Sequence, residues 1–525
     1  MAQRVTPYGA RFSVSDSQVG ARLEAFGTGV VRSAAVRERF SGHRWRLLHL
    51  VPVDEWDEGK EQYVTRSGEA VVYDYDRNQA YRISGETAAG ARLEMVEESG
   101  QPLPSAEEWD EAIDLVRESA EWGPLLKSGA VEAYRPMPPM LEGPAGERVQ
   151  RTLYVGLASK PRKFNRMVSV NLVTREVSRR PVVPANSRVD AMMCGVPEVG
   201  CRTPSRGTPG ALSLEWPATN PVWRMDVTRP SSSSGTNGSG IEIRNVQYRG
   251  RRVLRQGHMP ILSVEYELNR CGPYRDWLFQ EMCFQAQGED IPGTQGFRWC
   301  TAPPQSILDS GRDGGNYVGV AIWESPDGFL RLISQMRAGW YRYVMSWDFH
   351  LDGRIMPRFG FDGVNNSCVC KKHNHHALWR FDFDILNTRN SVEQLMGSRW
   401  VRVPREQVRF RKSDGSPRFR VRDSRTSVGY EIIPGAEDGI GTEFSGADYL
   451  LLRSSTRQID DGIRLVGGDV QPTIKRFANN SGLVAADLVV WYGAHFLHSV
   501  AEDPMKDGAS HHVVGPTLQP YNWPE

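Results

Sequence analysis

Residues 373–385, HNHHALWRFDFDI, hold the densest group of chemically active side chains in the sequence. Valine, tryptophan and phenylalanine flank or fill the segment and nothing breaks it, so it reads as a β-strand. Side chains on a strand alternate between faces, which puts His373 and His375 on one side. Two imidazoles spaced in this way can both reach one metal ion. The same parity sends His376, Arg380, Asp382 and Asp384 to the other side. Imidazole suits copper, zinc, iron and nickel, so ligand type alone leaves the metal open. The bland alternative is a surface strand with a chance cluster of histidines. A second segment, GLVAADLVVWYGAHFLHSVAEDPM (482–505), shifts the balance, because it reads as a buried apolar strand that ends in His498. Alone, His498 would be an ordinary rim residue. Together with His373 and His375 it completes a three-nitrogen site open to water or dioxygen. Cys368 and Cys370 precede the histidines and raise a thiolate or Cys2His2 zinc reading. Strand parity turns them away from His373 and His375, so they are expected to be ordinary small buried residues.

Several elements must position these groups. A helical arm is expected over about Asp16–Arg39, followed by two segments with strand character, GHRWRLLHLVPVDEW and EAVVYDYDRNQAYRIS. Ser105 and Glu108 form a capping-box signature, and Trp109, Ala112, Ile113 and Val116 recur at helical spacing, which predicts a helix over 105–122. RTLYVGLASKPRKFNRMVSVNLVTREVSRRP then reads as two strands around a basic turn. Beyond about residue 200, short strand runs are split by Gly, Pro and Asn turns, and SSSSGTNGSG (231–240) is a flexible loop. The expected class is α+β. A helical arm (1–40) and two small α+β domains (41–98 and 99–190) precede a large antiparallel β-sandwich (191–525) that carries the metal site.

Composition narrows the function classes. With 64 Lys+Arg against 63 Asp+Glu in 525 residues, there is no electrostatic footprint for nucleic acid. No apolar run of about 18 residues offers a membrane span, and the opening MAQRVTPYGARFSVSD lacks the pattern of a secretory signal. Seven cysteines are few and odd in number for this length, which favours reduced thiols and a cytoplasmic location.

The motifs resemble those of the copper amine oxidases. HNHHALWRFDFD is similar to the family's H-x-H strand and the F-R-x-D-x-D-like run that continues it. Asp487, Trp491, His498, Glu502, Asp503, Pro504 and Met505 follow the family's downstream pattern, with one residue fewer between the histidine and the Glu-Asp pair. GPTLQPYNWPE resembles the closing segment, IEIRNVQYRGRRVLRQGHMPILSVEY the start of the catalytic core, and the capped helix that of the second small domain. The resemblance spans about residues 40–525. It implies copper at His373, His375 and His498, a calcium-type site at Asp382, Asp384 and Asp487, dioxygen and a small molecule as substrates, and a homodimer.

The resemblance also breaks. The family oxidises a tyrosine in an Asn-Tyr-(Asp or Glu)-Tyr motif to topaquinone; here the motif reads Trp340-Tyr341-Arg342-Tyr343. Trp340 and Arg342 are expected to crowd the ring and set a positive charge beside it, leaving Tyr341 an unmodified phenol near the metal. The family's catalytic aspartate follows a Trp-Tyr-Phe-like run, here Trp277-Leu278-Phe279. Its place falls near Phe284, with Glu281, Glu289 and Asp290 the nearest carboxylates, and a base must lie within hydrogen-bond reach of its proton. The usual disulfide would join Cys300 to the position of Ala321 and is therefore absent. Loops on both sides of the H-x-H are shortened. Three functions follow: a copper-dependent, dioxygen-using oxidoreductase of a specialised small molecule, without topaquinone; a topaquinone-dependent primary-amine oxidase; or a non-enzymatic copper-binding relative. The intact histidines weigh against the third, and the rewritten motifs against the second.

Overall fold

The computed structural model describes residues 9–14, 18–57, 62–86, 92–98, 102, 104–134, 141–143, 150–159, 165–179, 194–201, 210–229, 240–267, 271, 274–275, 281–294, 296–442, 445–455, 464–466, 469–471, 473–499 and 513–524. Two helices, α1 (Gln18–Arg32) and α2 (Ala34–Arg39), come early in the chain. Their Phe26, Val30, Val36 and Phe40 pack on Ala70, Val72, Tyr81 and Ile83 of a four-stranded sheet formed by Trp45–Asp57, Gln62–Asp74, Gln79–Glu86 and Glu94–Glu98. A third helix, α3 (Ala106–Glu118), starts with both hydrogen bonds of the predicted capping box in place, between Ser105 and Glu108. Such a cap is typically worth about 1 kcal/mol. Its Trp109, Ala112 and Val116 bury against Leu153, Val155, Val168 and Val170 of a second four-stranded sheet. Glu108 also pairs with Arg151 at 2.6 Å and accepts from the Tyr75 hydroxyl at 2.7 Å, which ties this unit to the first sheet.

Most of the rest of the described chain forms two large, mainly antiparallel sheets packed face to face, the expected sandwich. In one sheet Arg251–Tyr266, His373–Phe383, Leu488–His498 and Tyr449–Arg453 lie side by side in that order. In the other, Val320–Ser325, Phe329–Ala338, Tyr341–His350 and Ile355–Gly363 are neighbours. The first residues of the chain are not purely a helical arm, because Arg11–Val14 adds to the edge of the first large sheet beside Ala211–Trp216. The His373–Phe383 strand is covered on both sides. Ala377, Trp379, Phe381 and Phe383 fill the main core between the sheets. Leu378, on the reverse face, joins a smaller core with Ile261, Leu450 and Trp491. Double coverage explains why the neighbouring Leu488–His498 strand reads as a nearly continuous apolar run.

The cysteines depart from expectation. Cys194 is bonded to Cys370, Cys201 to Cys283 and Cys271 to Cys368, and Cys300 alone is free, buried and without the Ala321-side bridge. Spacing in the sequence could not show this, because each pair is 82 or more residues apart and meets only in the folded sandwich. The argument from reduced thiols to a cytoplasmic location therefore falls, since disulfides persist in oxidising surroundings. The thiolate metal reading for Cys368 and Cys370 falls with it. Among the described residues no helix is long and apolar enough to cross a membrane.

Candidate metal centre

Two of the predicted histidines, His375 and His498, flank the third, His373. His373 is paired in register with His498 on one side and with Tyr266 on the other, and His375 follows on the same face. Ring centroids of His373 lie 5.0 Å from His375 and 4.8 Å from His498. All three are buried at the end of the inter-sheet core. Burial first, and then the neighbouring His498, pushes His373 down to about 3. Burial and the adjacent imidazoles push His375 well below its ordinary value. Both rings are therefore neutral at physiological pH, the form that binds a metal.

The facing sheet supplies phenols. Strand parity on Tyr341–His350 turns Tyr341 and Tyr343 inward, where the Tyr341 hydroxyl sits 2.7 Å from His373 Nε2 and that of Tyr343 lies 3.2 Å from His375 Nε2. Tyr266 donates to Tyr341 at 3.1 Å and accepts from the Trp340 indole N–H at 3.1 Å. His373 Nδ1 lies 2.5 Å from the Lys371 carbonyl. The direction of this chain is fixed at both ends. An indole N–H can only donate and a carbonyl can only accept. Tyr341 must then give its proton to His373 Nε2, and His373 carries its own proton on Nδ1. A histidine anchored through Nδ1–H to a carbonyl presents Nε2 in a fixed direction, as metal-binding histidines do. His375 Nδ1 is buried without a hydrogen-bond partner. Phe361, with its centroid 3.6 Å from that of His375, and Phe496 wall the site with apolar surface. Neutral imidazoles at His373 and His375, with the His498 ring beside His373, are donors of the type that suits a copper-type ion.

Arg342 corrects an expectation. Its position between Tyr341 and Tyr343 turns its side chain to the opposite face, where it is fully buried against Asp313 at 2.6 Å and reaches Glu198 at 3.3 Å. The Arg342 charge therefore lies away from the Tyr341 ring. Trp340 does not crowd Tyr341 so much as hold Tyr266 against it. Sequence reasoning missed Tyr266 and Tyr343. Tyr343 was legible from period two, whereas nothing local in the sequence marks Tyr266.

The three predicted carboxylates also converge: Asp382, Asp384 and Asp487 each bring a ligand atom within 4.8 Å of the others. Asp382 Oδ1, both Asp384 oxygens and Asp487 Oδ1 are buried without hydrogen-bond partners. The Arg252 guanidinium comes no nearer to Asp384 than 3.7 Å, and Asp382 Oδ2 accepts from Ser454 at 3.1 Å and Arg380 at 3.3 Å. Burial, then Asp487, pushes Asp384 well above the ordinary carboxylate range, and burial, then Asp382, pushes Asp487 up to about 7. Three crowded carboxylates with unused oxygens suit a hard cation such as calcium. The cluster His43, Asp74 and Asp76 differs, because His43, the Asp76 and Arg77 amides and the Arg77 guanidinium already occupy Asp74.

The proposed substitutes for the missing base are engaged elsewhere. Glu281 is buried in an ion pair with Arg229, while Glu289 and Asp290 lie on an exposed strand, with Asp290 bound to Arg298. Phe284 is buried against Tyr317. Trp277, Leu278, Phe279, Glu502, Asp503, Pro504 and Met505 and most of the 231–240 loop lie outside the described residues.

No protein-family model and no curated protein matches the sequence. Solved structures do match over nearly the whole chain. A copper-containing benzylamine oxidase from Hansenula polymorpha is similar with a TM-score of 0.58 and 12% identity, over 98% of this chain and 97% of that one. An amine oxidase from Aspergillus nidulans gives 0.54 and 11%, over 96% and 88%. Lysyl oxidase from Pichia pastoris gives 0.54 and 11%, over 98% and 90%. The chain has the fold of the copper amine oxidases, at an identity that speaks for the fold alone.

Proposed function

We propose that this protein is a copper-dependent oxidoreductase that uses dioxygen on a specialised small-molecule substrate, with Tyr341 retained as a phenol. His373, His375 and His498 hold the ion, which supplies one-electron redox chemistry when bound. The observation that carries the reading is the hydrogen-bonded chain Trp340–Tyr266–Tyr341–His373, ending on an anchored, neutral imidazole. It keeps the Tyr341 hydroxyl against His373 and Tyr266. The three nearest candidates for a catalytic base are paired or exposed elsewhere. A positioned base is worth about 100- to 10,000-fold in rate, so oxidation of simple primary amines is expected to be slow by at least about 100-fold. A hard cation of the calcium type at Asp382, Asp384 and Asp487, and a homodimer, belong to the same reading. Light scattering at micromolar concentration checks the dimer.

A mass spectrum of the peptide containing Tyr341 tests the proposal. Unmodified tyrosine is expected, with Tyr341→Phe retaining copper while losing activity at least about tenfold. The mass of the quinone together with phenylhydrazine labelling would overturn it in favour of a topaquinone amine oxidase. The position of Tyr341 at His373 is compatible with that second reading.

A further inference from the structure

The nine residues between Gly363 and His373 form a short turn, and it is fastened from two sides. Cys370 is bonded to Cys194, and next to that bond Asn366 and Cys194 exchange backbone hydrogen bonds of 3.0 and 3.4 Å. Val196 N donates to the Gly363 carbonyl at 2.9 Å, and Asn365 N to that of Val196 at 2.9 Å. On the other side Cys368 is bonded to Cys271, and Glu267 N donates to the Lys372 carbonyl at 3.0 Å. Between these fastenings and the strand stands Lys371, whose carbonyl takes the Nδ1 proton of His373. The group that sets the tautomer and direction of His373 is thus one residue from one cystine and three from the other.

The two cystines differ in access. Cys194 and Cys370 are 3% and 1% exposed, and Cys271 is 5% exposed. Cys368 is half-buried, which makes it the most accessible of these four cysteines to a reductant. Reactivity of a disulfide depends on which sulfur can be reached as well as on the attacking thiolate.

We propose that Cys271–Cys368 is a redox latch on the metal centre, opened by a dithiol, while Cys194–Cys370 stays closed as the permanent fastening. One thiolate of the dithiol attacks the Cys368 sulfur, the disulfide breaks, and Cys271 leaves as a thiolate and takes up a proton. The second thiol of the reagent, as its thiolate, then displaces Cys368, which leaves as a thiolate and is protonated in turn. The dithiol is oxidised to its cyclic disulfide and the protein cystine is reduced by two electrons. Opening frees the turn on the Cys271 side, loosens the Lys371 carbonyl and releases the orientation of His373. This inference rests on His373 as a metal ligand for its consequence, and on the turn alone for its mechanism.

The test treats the full-length protein with stepwise dithiothreitol, alkylates new thiols, removes the reagents and reads three quantities. Peptide mapping is expected to label Cys271 and Cys368 before Cys194 and Cys370. Amide exchange in the 373–377 region should rise at least tenfold at that step, with exchange near Asp382 unchanged. Copper(II), added after the reductant is gone, should bind at least tenfold more weakly than to the untreated protein. The double variant Cys271→Ser/Cys368→Ser should reproduce both changes without any reductant. Labelling of Cys271 and Cys368 with no change in exchange at 373–377 would overturn the latch, as would simultaneous labelling of all four cysteines. Failure of the untreated protein to bind copper would count against the metal reading, and amide exchange would then decide the latch by itself.

Discussion

The His373–Phe383 strand carries histidines on both faces, and the two faces have different chemistry. Toward the inter-sheet core, His373 and His375 meet phenol hydroxyls, and burial keeps both imidazoles neutral. On the reverse face His376 and His495 lie opposite one another in register, with their Nδ1 atoms 3.0 Å apart, and His495 Nε2 is 3.1 Å from Asp448. There the imidazole faces its neighbours, another imidazole and a carboxylate that is itself held by the Arg411 and Gly441 amides. The two Nδ1 atoms face one another, and His495 Nε2 faces Asp448. Two sets of buried histidines one residue apart thus differ in function through the donors and acceptors around them. Breaking each set in turn should separate metal binding from stability.

The largest effect belongs to the inner face. His375→Ala should lower copper content from about one ion per chain to near zero and abolish activity, because a three-nitrogen site that loses one imidazole keeps neither its affinity nor its geometry. Metal analysis by mass spectrometry checks this. Full copper retention in the variant would remove the centre as assigned here, and zinc in the native protein would point to hydrolytic chemistry.

Much of this inner face was legible in the sequence, because strand periodicity is a local property. Period two placed His373 and His375 together, and the apolar run before His498 marked its strand. The same rule applied to Tyr341–Tyr343 turns Arg342 to the opposite face, toward Asp313 and away from the Tyr341 ring. The remaining features depend on contacts between distant segments. Tyr266 reaches Tyr341 only because Arg251–Tyr266 pairs with the histidine strand, and the three disulfides join segments that no local pattern connects. The helix N-terminus at Ser105 was found at its residue because a capping box is encoded within four positions.

A second, intermediate effect concerns the carboxylates beyond the far end of the same strand. Asp487 is raised from its ordinary value of 3.8 to about 7 by burial and by Asp382. A group raised in the folded state contributes stability that is complete below its unfolded value and is lost as pH rises through the folded one. The buried histidines run the other way. His373, lowered from 6.5 to about 3, contributes fully above 6.5 and loses its contribution as pH falls. Between about pH 6.5 and 8 the carboxylate effect therefore stands alone. Protein treated with a calcium chelator should become less stable across that interval, by an amount on the order of 1 kcal/mol. Added calcium should cancel the loss. Calorimetry at the two pH values, with and without calcium, measures it. A melting temperature that rises over the interval in chelated protein would contradict the cluster, and Asp384→Asn should abolish the calcium effect.

The smallest effect, and the sharpest control on the comparison, lies on the reverse face. His495 is held at about 4 by burial, so it is neutral and its role is packing and hydrogen bonding. Its ring lies directly on backbone: a Cβ added to Gly493 would come within 2.5 Å of His495 Nε2. His495→Ala leaves a cavity at that spot and removes the hydrogen-bond partner of His376 Nδ1, while Asp448 keeps its two amide donors and Arg411. Loss of a buried partner with a small cavity costs about 1–3 kcal/mol. Denaturant unfolding should show that decrease, while copper content and the spectrum of the bound ion stay as in the native protein. The two faces share a strand only 11 residues long, so a coupled response is a real alternative. If His495→Ala lost copper as His375→Ala does, the reverse face would have to be counted as part of the metal centre. If it lost stability alone, the separation of the two faces would rest on measurement, and the inner face would be the place to look for substrate.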